Sequence, residues 1–198
     1  MSTEKCWNLV SKGFIWGGAS FGFKIVNDSR SAEKSLGIIG IFPYLNSKSL
    51  NIGTIKKAFF LAICKLALLL RIERFLWQEG LATKFGFFTK HPKYIRSAVF
   101  QEISAKTFFI VLKLILTDQS PVKFRNKPYL LILNPNDNRV DYEYIAGRAK
   151  ALCSNYLILT TSLDHFPRDL DSNTLNGGLD SAKLEKGVDF LTQHGNSI

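Results

Sequence analysis

Gly13-Phe14-Ile15-Trp16-Gly17-Gly18-Ala19-Ser20-Phe21-Gly22 is the stretch that decides how this chain is read. A short apolar run, Gly13 to Trp16, leads into Gly18-Ala19-Ser20-Phe21-Gly22, which has the form G-x-S-x-G. That order predicts a strand that turns sharply into a helix, with the serine at the apex. A turn this tight needs small residues on both sides of the serine. Gly18 and Gly22 are expected to let the strand and helix backbones approach, leaving the hydroxyl pointing out of the fold. A serine held there acts as a nucleophile when a base reaches it. A glycine-rich turn with a solvated serine has the same spelling, so the residues downstream have to discriminate.

They lie more than a hundred positions away. Residues 129–134, entered through Pro128, form an apolar run of strand length. Pro135-Asn136-Asp137-Asn138-Arg139 follows as a polar turn, which places Asp137 just past the strand. A second run, Tyr156 to Thr161, leads into Ser162-Leu163-Asp164-His165-Phe166. Between the two, Tyr144, Ile145, Ala149 and Leu152 make the inward face of a helix over 142–152. The unit reads strand, acid, helix, strand, histidine. In open α/β sheets, groups beyond the carboxyl ends of strands converge in one crevice. A serine hydroxyl needs an imidazole to accept its proton, and the imidazole needs an acid to fix its tautomer. Ser20, Asp137 and His165 supply all three. Bland readings exist for two of them: Asn-Asp-Asn turns bond their own backbone, and a loop histidine is usually solvated. Asp141 is the nearest competing acid, and its place before a helix suits a cap.

The ordered set resembles the α/β-hydrolase family, specifically its C-terminal part. Gly18-Ala19-Ser20-Phe21-Gly22 is similar to the nucleophile elbow, and Leu36 to Tyr44 to the next core strand. Leu130 to Asp137 resembles the acid strand and turn, and Ser162 to Phe166 the histidine loop, 28 residues after the acid. The resemblance implies an α/β fold: a partial α/β-hydrolase with a short, mostly parallel sheet flanked by helices and a helical lid insertion. It implies a serine hydrolase, acting on carboxylic esters, with Ser20, Asp137 and His165 as triad and the Phe21 N–H as oxyanion donor. No cofactor and no metal are implied. About a dozen residues precede the elbow strand, where the family places four strands and a loop carrying a second oxyanion donor. The alternative is therefore a truncated, non-catalytic remnant or one half of a split protein. It would have an open sheet edge that invites a complementary chain or self-association.

The 198 residues suffice for one domain with a sizeable core. Cys6, Cys64 and Cys153 are odd in number and lack metal spacing, which suits reduced thiols in a cytoplasmic protein. The first residues lack the pattern of a signal peptide and suit a helix up to Lys12. His91 and His194 have no partner at metal spacing.

Charge divides the chain. Residues 46–127 hold fifteen Lys and Arg against four Asp and Glu, a net of +11, while the whole chain carries +10. This segment also carries two helix-length apolar runs, Ala58 to Leu70 and Thr107 to Leu116, apolar over more than one face and so expected to be buried on two sides. Lys65 interrupts the first, leaving its apolar parts short of the roughly 20 residues that span a bilayer. The expected organisation is 1–45 for the elbow part of the core, 46–127 for a cap, and 128–198 for the acid and histidine. A greasy cap suits an acyl-ester or lipid-like substrate. Its basic residues suit peripheral membrane contact through 54–78, or they are only the solvated faces of its helices. Nucleic-acid binding is excluded, because the cations are interleaved with aliphatics and form no reading motif. After a polar loop, 181–193 reads as a last helix with Leu184, Val188 and Leu191 inward.

Overall fold

The computed structural model of the protein describes residues 14–78, 81, 84, 100–163 and 181–195. The expected N-terminal helix, Cys6, His91, Asp164 and His165 lie outside the described residues. In chain order the main elements are β1 (Ile15–Ala19), α1 (Phe21–Asp28), β2 (Gly37–Ile41), α2 (Thr54–Leu70), α3 (Glu73–Leu76), α4 (Ala105–Thr117), β3 (Tyr129–Leu133), α5 (Tyr142–Leu152), β4 (Tyr156–Thr160) and α6 (Ser181–Gly195). Among the described residues they fall into two compact units. One comprises 14–51, 120–163 and 181–195, and the other 52–78 and 100–119.

The first unit is built on a four-stranded sheet in the order β1-β2-β3-β4, parallel throughout. All five residues of β3 are buried, as expected of a central parallel strand with helices on both faces. Alternation sorts its side chains. Tyr129, Leu131 and Leu133 join Phe23 of α1 and Ile145 and Ala149 of α5 in one core. Leu130 points the other way, onto α6, where a Cβ added at Gly187 would lie 2.7 Å from its Cδ2. Burying each such aliphatic contributes roughly 1.5–3 kcal/mol. Two inward faces differ from expectation. Leu191 faces the sheet as expected, but Val188 is exposed and Gly187 takes its place, because the close approach to Leu130 leaves room for no side chain at 187. Leu152 ends α5 exposed at 46 %, so that face rests on Ile145 and Ala149. The strands end earlier than the apolar runs do. β2 stops at Ile41, and Phe42 turns away with φ 45°.

The α1 helix is fastened at its end by Arg125. Its guanidinium donates to the carbonyls of Asn27 (2.6 Å) and Ser29 (3.0 Å) and pairs with Glu33 (2.6 Å). These are carbonyls a helix leaves without partners at its C-terminus. The Tyr129 hydroxyl donates to Asn27 Oδ1 (2.6 Å) beneath them, and its burial raises the phenol pKa.

In the second unit Cys64 and Ala67 of α2 pack with Ala105 and Phe109 of α4. Trp77 stacks near Phe108, with centroids 4.0 Å apart, and its indole N–H donates to the Ile103 carbonyl. The expectation that α2 and α4 are buried on two sides is not met. Ile55, Phe59, Leu66 and Leu69 of α2, and Leu114 of α4, stand exposed. On α2 the fully buried residues are the small Cys64 and Ala67, and several of its larger apolar residues stay outside. No helix among the described residues is long and apolar enough to cross a membrane.

Candidate active site

Ser20 occupies the single residue between β1 and α1, with φ 49° and ψ −126°. A non-glycine residue rarely adopts this backbone, and holding it there costs on the order of 1–3 kcal/mol. Three hydrogen bonds over-determine it. The Ser20 N–H donates to the Ile41 carbonyl (2.9 Å), and the Ser20 carbonyl accepts from Tyr44 (3.0 Å) and Phe23 (3.1 Å). Serine is a common helix cap, yet this hydroxyl makes no capping bond to α1.

The two flanking glycines differ. A Cβ at Gly18 would lie 2.6 Å from the Phe23 nitrogen and 2.7 Å from Gly22 carbonyl atoms, all backbone. At Gly22 a Cβ would meet nothing within 4 Å. The close approach expected of both glycines therefore belongs to Gly18 alone, since Gly22 already sits on the open side of the first helical turn. Phe21 begins α1, where the leading N–H groups lack an intrahelical acceptor and the helix dipole favours negative charge.

Asp137 is 4 % exposed and lies four residues past the end of β3. Its Oδ1 accepts from the amides of Arg139 (2.6 Å) and Val140 (3.3 Å), holding the turn. Asp141 caps α5 through Tyr144 N–H (2.9 Å). The segment after β4 is tied to the acid turn. Asn134 Nδ2 donates to the Leu163 carbonyl (2.9 Å), and Asn134 Oδ1 accepts from Asn136. Thr161 reinforces the link, donating its N–H to Leu133 and accepting at Oγ1 from Leu163. Ser20, Asp137 and the chain up to Leu163 thus lie beyond the carboxyl ends of three strands in one parallel sheet. With β2 between them, β1 and β3 run about 10 Å apart. His165 comes two residues after Leu163, outside the described residues.

Sequence reasoning missed Tyr44, whose amide holds the Ser20 carbonyl, and Asn134, which anchors the segment leading to His165. Asn134 had a signal in its place at a strand end, where short polar side chains bond nearby backbone. Tyr44 had none. It reaches Ser20 because Phe42, at φ 45°, turns the chain after β2, and no pattern marks a phenylalanine for that conformation.

A cavity of about 490 Å³ flanks the last turn of α1, between Lys24, Asn27 and Asp28 and the segment Ser120, Lys123 and Arg125. Its lining does not include Ser20. No cluster of metal-ligating side chains occurs among the described residues.

No family model matches this chain, and no curated protein matches it. Among solved structures, a protein assigned as a lipase from Acinetobacter baumannii AYE is similar over 98 % of this chain and 67 % of its own, with a TM-score of 0.56 and 15 % identity. The chain has an α/β-hydrolase-like fold. The monoacylglycerol lipase of Paleococcus ferrophilus is similar over 96 % of this chain and 74 % of its own at 15 % identity, with a TM-score of 0.44 that carries no argument. At 15 % identity the likeness concerns the fold: a parallel sheet flanked by helices, here with part of the α/β-hydrolase arrangement.

Proposed function

We propose that the chain is a serine hydrolase of the α/β-hydrolase type that cleaves carboxylic esters. The observation that carries this reading is the strained, non-glycine backbone of Ser20 at a strand-to-helix turn, with its hydroxyl left out of local capping. Backbone strain of this kind persists where the surrounding structure enforces it, and it clusters at functional sites.

In this reading Ser20 Oγ attacks the acyl carbonyl. His165 accepts the serine proton and returns it to the leaving alkoxide. Asp137 orients the imidazole and stabilises its charged form. The Phe21 N–H donates to the oxyanion as negative charge builds there. Water, deprotonated by His165, then releases the acid and restores Ser20. The second unit carries an apolar surface with lysines interspersed. Its exposed Ile55, Phe59, Leu66 and Phe75, set among Lys56, Lys57 and Lys65, favour an apolar acyl substrate and peripheral contact with anionic membranes. The likeness to a protein assigned as a lipase agrees with an ester substrate.

The test is covalent labelling by a fluorophosphonate probe. The reading expects a single adduct on Ser20, absent in Ser20→Ala. Folded protein that gives no adduct, or an adduct unchanged in Ser20→Ala, rejects it. A second reading is a non-catalytic remnant or one half of a split enzyme. Among the described residues β1 is terminal in the strand order, with Gly17 and Ala19 exposed, which favours it. It expects no adduct from the chain alone.

A further inference from the structure

We propose that the cavity beside the last turn of α1 is a binding site for a small carboxylate with a short apolar tail, separate from the candidate active site.

The cavity is built before anything enters it. It holds about 490 Å³, within the roughly 300–1,000 Å³ of small-molecule pockets. All of its lining belongs to the sheet-bearing unit, with α1 on one side and the segment 120–125 on the other. Asn27 is buried, and both ends of its side-chain amide are held. Its Oδ1 accepts from the Tyr129 hydroxyl (2.6 Å), and its Nδ2 donates to the Lys123 carbonyl (2.9 Å), which ties α1 to the facing segment. The Phe124 ring stands edge-on to Tyr129, with centroids 4.9 Å apart. Lys24 reaches across from α1 and donates to Ser120 Oγ (2.9 Å). Walls fixed in this way lose little freedom when a ligand enters.

The charges around the cavity select an anion. Lys24, Lys123 and Arg125 line it, and the carboxylates that answer them are Asp28, 3.3 Å from Lys24, and Glu33, 2.6 Å from Arg125. Three cations against two carboxylates leave a net of +1. The Lys123 ammonium is exposed and has no hydrogen bond or ion pair among the described residues. Arg125 has five N–H donors, of which Nε takes the Asn27 carbonyl, Nη2 the Ser29 carbonyl and Nη1 the Glu33 carboxylate. The other two keep no partner among the described residues. A helix C-terminus repels anions, but here Arg125 covers its carbonyls.

A net charge of +1 with unused donors on two cations matches a monoanion that only accepts hydrogen bonds. A carboxylate is that group. Its oxygens take the free N–H groups of Arg125 and the Lys123 ammonium, in the charge-assisted bonds that are the stronger kind. Phe124 and Pro121 supply apolar surface for the tail. A phosphate monoester carries about −1.5 to −2 at neutral pH, more than the site neutralises.

The experiment titrates the full chain, labelled with ¹⁵N, with butanoate, butanamide and inorganic phosphate at low salt. Butanoate is expected to shift the amides of Asn27, Lys123 and Phe124 with a Kd on the order of 1 mM. Butanamide has the same shape without the charge and is expected to bind at least about tenfold more weakly, and phosphate more weakly than butanoate. Lys123→Met removes the ammonium and keeps the backbone carbonyl that Asn27 uses. It is expected to weaken butanoate about fivefold to tenfold with an unchanged circular dichroism spectrum, and Lys123→Arg to restore binding. The absence of a saturable shift at these amides overturns the proposal. So does butanamide or phosphate that binds as tightly as butanoate, or butanoate affinity unchanged in folded Lys123→Met. Fluorophosphonate labelling of Ser20 enters none of these readouts, so the hydrolase reading and this site stand or fall separately.

Discussion

Gly18→Ala and Gly22→Ala place the same methyl on either side of Ser20, and their effects are expected to have opposite sign. At position 18 the new Cβ falls 2.6 Å from the Phe23 nitrogen, about 0.8 Å inside ordinary contact. The atoms it meets are backbone, so no side chain can rotate away. Either α1 lifts from β1 or the three bonds that hold Ser20 lengthen. Overpacking of this kind costs typically 1–3 kcal/mol, and the rigid surroundings put Gly18→Ala at the upper end, about 3 kcal/mol. For a chain of this length each kcal/mol moves the melting temperature by roughly 2–4 °C, so a fall of about 10 °C is expected. At position 22 the methyl enters open space on the first turn of a helix. Removing glycine's backbone freedom there stabilises by about 0.5–1 kcal/mol. Urea unfolding followed by circular dichroism measures both. The same displacement misplaces Ser20 Oγ, and a 1 Å error in a reacting group can cost about 10²-fold in rate. Gly18→Ala that unfolds with the wild type would refute the elbow geometry, as would Gly22→Ala that is equally damaging.

Arg125→Ala leaves two α1 carbonyls without their charged donor and is expected to lower stability by about 2 kcal/mol in the same urea assay. Asn134→Ala frees the Leu163 carbonyl and loosens the segment before His165. It is expected to slow fluorophosphonate labelling by up to about 10²-fold, whereas a purely structural Asn134 would change unfolding and leave the labelling rate alone. Burial pushes the Cys64 thiol up to about 11 and raises that of Cys153. Both should stay unalkylated by iodoacetamide at about pH 8 until urea is added, since the thiolate is the reactive form. Because the folded Cys64 pKa lies above its unfolded value of 9.0, its contribution to stability is complete below about pH 9 and is lost as pH rises towards about 11. A folded protein whose Cys64 is alkylated at the rate of the unfolded chain contradicts this placement.

The sheet was legible because its strands announce themselves in runs. Tyr129 to Leu133 is uninterrupted apolar sequence of strand length between Pro128 and a polar turn, which is how a strand covered on both faces reads. The helix 142–152 agreed in both bounds, since Asp141 supplies a cap and the aliphatics keep a 3.6-residue spacing. The G-x-S-x-G spelling located the turn at Ser20. It did not separate the glycine that must be small from the one that need not be, because that depends on where α1 lies against β1. Periodicity failed for Val188 and Leu152 because it assigns a face without knowing how close the neighbour comes. Around Gly187 the approach to Leu130 is too tight for any side chain. The exposed Phe59, Leu66 and Leu69 were misjudged for a related reason. An all-round apolar helix is normally buried, but α2 packs through Cys64 and Ala67. The roles given to Asp137 and His165 rest on spacing and order, to which the structure adds a buried carboxyl and a tether from Asn134 to Leu163.

The central claim is that the hydroxyl at the β1–α1 turn is an activated nucleophile. Incubating the folded chain with a fluorophosphonate and mapping the adduct by peptide mass spectrometry addresses it directly. The account predicts one modified residue, Ser20, and no modification in Ser20→Ala or after unfolding. An adduct on another serine, or none on the folded wild type, would contradict it.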